Sequence, residues 1–236
     1  MRVEISVESV RGARVAAKAG AARVELCAAL SDGGLTPSPA LIEAVAPIID
    51  AHVLIRPRAG GFHYDRDELD LMLRDIALAR EHGAAGIVIG ALTPAGEVDP
   101  ACAEFVAAAS GLPVTFHRAI DVSADSRRAY DRLATLGFTR VLTSGRRRSA
   151  LDGAALIRAM VGGPVEVMAG GGVRAANAAQ VLAATGVQDL HAAPRKPIGT
   201  AVGGDVSYAG VGVPTGHDHF ETDADEVAAL CAVQKE

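Results

Sequence analysis

The chain has 236 residues, half of them hydrophobic and 22% charged, with 26 glycines and no tryptophan, enough apolar material for one large α/β domain or two small ones. A net charge of −5 and a pI near 5.8 give no basic face for nucleic acid, and no run approaches the roughly 18 apolar residues that span a bilayer. The opening Met-Arg-Val-Glu lacks the apolar centre of a signal peptide, so the expected location is cytoplasmic, with Cys27, Cys102 and Cys231 as reduced thiols.

In chain order, one unit recurs: an amphipathic or Ala-rich helix, a Gly-containing turn, then a short β-branched run. The first strand is VEIS (residues 3–6), followed by a helix through VAAKAG and a strand RVELC (23–27). The segment Ser31 to Ser38 reads as a helix entry, with Thr36 or Ser38 as cap, that also suits a lid. A helix through ALIEAV leads to HVLIRPR (52–58). Four more helix–strand pairs end in GIVIGAL, VTFHRAID, RVLTSG and VEVMAGGGV, and the last strand lies in VQDLHAA. That makes eight strands, the number that closes a parallel barrel, so the expected fold is a single TIM (β/α)8 barrel over residues 1–236. The tail from about residue 200 is the least defined part of that reading. A doubly wound open sheet shares the local grammar. However, its strands, buried on both faces, would lack the polar alternation seen here.

Alternation along each strand sends one set of side chains inward. Val3, Ile5, Val24, Leu26, Val53 and Ile55 suit the helix-facing side. The inward set is then Glu4, Ser6, Glu25, Cys27, His52, Leu54, Arg56, Arg58, Thr115, His117, Glu166, Met168, Asp189 and His191. Buried charges require partners, so one reading is a structural network in which Glu4, Glu25 and Glu166 answer Arg56 and Arg58. Barrel active sites lie at the C-terminal strand ends, where Cys27, Arg56, Arg58, His117, Arg118, Ser144, Gly170 and His191 fall. The Gly170-Gly171-Gly172 turn before a helix can present backbone N–H groups to an anion.

The segments ARVELCAALSDGGLTPS, IRPRAGGFHY, VTFHRAID, RVLTSG and VMAGGGVRAANA resemble the CutC family over most of residues 1–192. The resemblance implies a cytoplasmic, oligomeric TIM barrel associated with copper homeostasis, with copper(I) as a candidate ligand at Cys27. It singles out Glu25, Cys27, Arg56, Arg58, His117, Arg118, Asp121, Thr143, Ser144 and Gly170 to Arg174. This chain departs from the family in two places. Ser6 and Val7 stand where many relatives have first-strand cysteines, which removes a thiol partner for Cys27. The segment after His191 is HAAPRKPIG, where relatives are richer in small hydroxyl residues.

Copper(I) prefers soft sulfur ligands, and Cys27 without a second thiol makes a weak site. An enzyme would use the same mouth differently. Glu25 and His117 would be the acid/base pair, and Arg56, Arg58, Arg118, Ser144, Gly170, Gly171, Gly172 and His191 would hold a small phosphorylated or carboxylated substrate. Isomerisation or aldol-type cleavage fits that set, and no inward lysine offers a Schiff base. A non-catalytic anion-binding barrel is the third reading.

Overall fold

A computed structural model describes residues 1–200 and 217–233. Eight parallel strands close into a barrel in chain order: β1 (Arg2–Val7), β2 (Arg23–Leu26), β3 (Ala51–Leu54), β4 (Gly86–Ile89), β5 (Val114–Phe116), β6 (Arg140–Thr143), β7 (Glu166–Gly170) and β8 (Asp189–Ala192). Strand β8 returns to β1, so the barrel itself has no edge strand. The outer ring is α1 (Val10–Ala19), α2 (Pro39–Val45), α3 (Arg66–Glu81), α4 (Cys102–Ala108), α5 (Ser126–Leu136), α6 (Ala154–Met160), α7 (Ala175–Thr185) and α8 (Ala224–Ala232). The closed barrel excludes the open sheet.

Local sequence explains where these helices start and stop. Ser38 caps α2 by accepting from the Leu41 N–H at 3.2 Å, and Asp65 with Glu68 forms a capping box at α3. Gly20, Gly137 and Gly186 end α1, α5 and α7 in the left-handed region that a Cβ disfavours. Val3, Ile5, Val24, Leu26, Val53 and Ile55 face the helices and join one continuous apolar core. The low aromatic content is realised there as layers of Val, Ile, Leu and Ala.

Between β8 and α8 the chain makes an antiparallel pair, β9 (Arg195–Ile198) and β10 (His219–Thr222). Helix α8 then packs on α1 and α7 and completes the ring. Of the tail that the sequence leaves open, residues 217–233 are thus an integral part of the barrel. Residues 201–216 and 234–236 lie outside the described residues.

Candidate functional site

The barrel interior is polar at its base. Arg23 donates to Glu4 at 2.5 Å and to Asp189 at 3.2 Å. Arg140 donates to Asp189 at 3.2 Å, to Glu166 at 3.1 Å and to Thr115 at 3.3 Å. Arg2 also pairs with Asp189 and Glu166. Three acids and three arginines therefore balance. The network expected from sequence exists, but its cations are not Arg56 and Arg58. Arg23 opens β2 two residues before Glu25 and shares its inward register, and Arg140 opens β6, a strand for which the alternation names no interior residue.

Above this base lies a cavity of about 350 Å³ at the C-terminal strand ends, lined among others by Ser6, Glu25, Arg56, His117, Arg118 and His191. Both Arg56 and His117 are buried. The Arg56 guanidinium donates to the carbonyls of Asp32 (3.0 Å), Gly34 (2.9 Å) and Gly60 (2.7 Å), and it has no carboxylate partner among the described residues. The Tyr64 hydroxyl lies beside it, yet that hydroxyl and Arg56 Nε are both without a hydrogen-bond partner. The Phe62 ring covers this wall, 4.7 Å from the His117 ring and 5.3 Å from the guanidinium carbon.

His117 Nδ1 accepts from the Ala119 N–H at 3.2 Å, which places the ring proton on Nε2, an atom with no partner. Burial, assisted by the Arg56 charge, lowers its pKa to about 3. At neutral pH His117 is thus a hydrogen-bond donor and a poor base, which changes the part it can play in the acid/base pair read from sequence. Glu25 keeps a raised pKa, first from burial and then from the nearby Glu4 charge. Its partners are the Ser6 hydroxyl at 2.6 Å and, at 3.8 Å, His191 Nε2. His191, whose Nδ1 is 2.8 Å from Glu4, therefore belongs beside Glu25.

Other expected residues are placed differently. Arg58 lies outside the cavity, paired with Glu68 of α3 and stacked 5.1 Å from the Tyr64 ring. The inward register persists one step past the end of β3, to Arg56, and the loop after Pro57 turns Arg58 outward. Arg118 donates to Asp121 at 2.9 Å and to Ser144 Oγ at 2.7 Å. Asp121 also accepts from Thr143 Oγ1 at 2.6 Å and from the Ser144 and Arg146 N–H groups. This hub fixes Arg118 at the cavity rim and neutralises it; Ser144 braces the hub. Gly170, Gly171 and Gly172 are not among the cavity-lining residues. Gly171 packs against Ser144 and Arg118, and Gly172 against Ser149, while their carbonyls accept from Ala150 N and Asn177 Nδ2.

The thiols do not converge. Cys27 is buried against Leu54 and Val88, its Sγ 3.7 Å from the Val7 carbonyl, and burial pushes its pKa far up. Cys102 on α4 lies 3.7 Å from the Ala91 carbonyl, its pKa pushed up to about 12 by burial. Cys231 sits on α8. Met168 is deep in the base network, where its Sδ accepts from Arg23 at 3.2 Å. No second sulfur therefore joins Cys27.

A closed parallel (β/α)8 barrel with a charge-balanced base and a ligand-sized cavity at its C-terminal mouth belongs to the class in which barrel proteins build their binding and active sites. Residues 1–196 match the family model described as CutC family. A CutC family protein of Xanthomonas campestris is 43% identical over 98% of this chain and 97% of its own. The mouse copper homeostasis protein cutC homolog is 39% identical over 99% of this chain and 89% of its own. The chain belongs to the CutC family. The crystal structure of CutC from Streptococcus agalactiae superposes with a TM-score of 0.77 at 35% identity, covering 81% of this chain and 97% of that one. The phosphoribosylanthranilate isomerase of Thermotoga maritima, 12% identical with a TM-score of 0.56, shares the fold alone. No helix among the described residues is long and apolar enough to cross a membrane.

Proposed function

We propose that this protein serves copper homeostasis, the role printed in its relatives' names, by holding a small anionic ligand in the barrel-mouth cavity. One observation carries the ligand class: among the described residues Arg56, buried in the cavity wall, has no carboxylate partner, while the other charges lining the cavity are paired. A buried cation left uncompensated favours an anion beside it. His117 adds a neutral donor on the same wall, and Phe62 covers both and must shift for a ligand to reach them. Copper(I) at Cys27 has less support, because a buried thiol of raised pKa with no second sulfur is a poor soft-metal site.

Calorimetric titration with inorganic phosphate tests this reading. Arg56→Gln should weaken binding about tenfold or more, while Arg58→Gln, outside the cavity, should leave it unchanged. A thermal melt of each variant separates lost binding from lost folding. Equal affinity in the wild type and Arg56→Gln, or no binding by either, would overturn the anion site. Tight one-to-one uptake of copper(I) that disappears in Cys27→Ser would replace it with a metal site.

A further inference from the structure

Glu4, His191, Ser6 and Glu25 form one unbroken hydrogen-bonded line. Glu4 Oε1 lies 2.8 Å from His191 Nδ1, His191 Nε2 lies 3.1 Å from Ser6 Oγ, and Ser6 Oγ lies 2.6 Å from Glu25 Oε2. The 3.8 Å between His191 Nε2 and Glu25 is too long for a direct bond, so among the described residues Ser6 is the bridge along this line.

Counting protons along the line leaves two arrangements. Burial alone would raise the Glu4 pKa, but the His191 hydrogen bond and the Arg23 guanidinium hold it well below the usual carboxylate range. Glu4 is therefore an acceptor, and His191 Nδ1 carries a proton that it donates. Ser6 Oγ has a single proton. In one arrangement His191 is an imidazolium that donates from Nε2 to Ser6, and Ser6 donates to an ionised Glu25. In the other, a protonated Glu25 donates to Ser6, and Ser6 donates to the bare Nε2 of neutral His191. Every hydrogen bond is satisfied in both. They differ by the shift of two protons along the line, a net transfer of one between Glu25 and His191, and the pair carries no net charge in either.

We infer that Glu25, Ser6 and His191 are a proton relay that presents Glu25 to the cavity as a general acid or base. The transfer is a concerted double hop: Glu25 gives a proton to Ser6 Oγ as Ser6 gives its own to His191 Nε2, or the reverse. No oxidant, metal or co-reactant is consumed. All three residues line the cavity in which the anionic ligand is placed. The inference deepens that reading by adding the property a ligand with an exchangeable proton would use.

The surroundings fix the relay's ends. Arg23 stands behind Glu4 and is shared with Asp189. His52 on β3, in register with Glu25, is kept neutral by burial, its pKa lowered to about 4. Arg56 and His117 stand on the cavity wall, and Arg118 is neutralised by Asp121. The Glu25 and His191 pKa values are both raised, although burial alone would lower that of His191; the facing Glu25 charge and the Glu4 hydrogen bond raise it.

NMR of the full chain labelled with ¹⁵N-histidine and ¹³C-glutamate reads the relay without a ligand. The expected wild-type result is a His191 Nε2 resonance between the protonated and bare positions, moving with the Glu25 carboxyl signal in one shared titration. Ser6→Ala should send Nε2 to one extreme and split the titration in two, and Ser6→Thr, which keeps the hydroxyl, should restore the shared behaviour. Separate titrations in the wild type, or an Nε2 position that ignores Ser6→Ala, would refute the relay. The wild-type measurement decides even if Ser6→Ala fails to fold. Phosphate binding lost in Arg56→Gln with the shared titration intact would keep both readings. A shared titration without phosphate binding would remove the anion reading alone.

Discussion

Gly90 and His117 compete for one space. A Cβ on Gly90 would fall 2.6 Å from the His117 ring, and one on Gly86 would fall 2.7 Å from the His52 ring. Strand β4 therefore lends its side-chain volume to imidazoles of its two neighbours. Gly90→Ala should cost about 1–3 kcal/mol by overpacking, read as a lower urea midpoint, and should push the His117 ring off its Ala119 bond. An unchanged midpoint would mean that the ring has room to move. Neither glycine reads as functional in the sequence, since GIVIG has the appearance of an ordinary buried strand. The signal lies in the register: both glycines take inward positions beside a histidine on the adjoining strand.

At the scale of the strands, period-two alternation was the most informative signal in the sequence. It placed Glu4, Ser6, Glu25, His52, Thr115, Met168, Asp189 and His191 inside the barrel, where the structure has them buried or nearly so. It failed at strand ends. Arg23 and Arg140 are the first residues of β2 and β6; one step back from Glu25 reaches Arg23, whereas β6 has no named inward residue from which to reach Arg140. The alternation takes in Arg58 because IRPR continues the apparent pattern past the end of β3 at Leu54 and into a loop. The base cations should consequently dominate stability. Arg23→Gln leaves Glu4 and Asp189 short of a partner and should cost about 3–5 kcal/mol in chemical denaturation. Glu68→Gln on the half-buried Arg58 pair at the surface should cost at most about 1 kcal/mol. Similar losses from the two variants would contradict the network. The Ser6 bridge was not legible at all, because it joins three strands whose neighbourhood appears only when β8 closes on β1.

The molecule as a whole should be sensitive to acid. His52 and His117 have pKa values lowered to about 4 and about 3 by burial, so the fold holds them neutral. An unfolded histidine titrates near ~6.5. As pH falls below that value the unfolded chain takes up protons that the folded one refuses. Each histidine then removes about 1.4 kcal/mol of stability per pH unit until its folded pKa is reached. Glu25, whose folded pKa is raised, offsets part of this on its own titration, and Glu4, whose folded pKa is lowered, adds a loss at lower pH. Urea midpoints should fall steeply from about pH 6.5 to about pH 4, and a flat profile there would show that these histidines titrate freely.

The closing helix has a practical consequence for anyone shortening the chain. Val227, Leu230 and Cys231 of α8 are buried, and Glu226 accepts from the Ala175 N–H at 2.8 Å, capping the start of α7. A version truncated after residue 196, where the family match ends, keeps all eight barrel strands and every cavity-lining residue. It would also lay bare an oily furrow between the first and seventh helices, wide enough to seat a helix from another molecule. Its expected failing is loss to inclusion bodies and clumping at working concentrations, whatever the condition of its pocket.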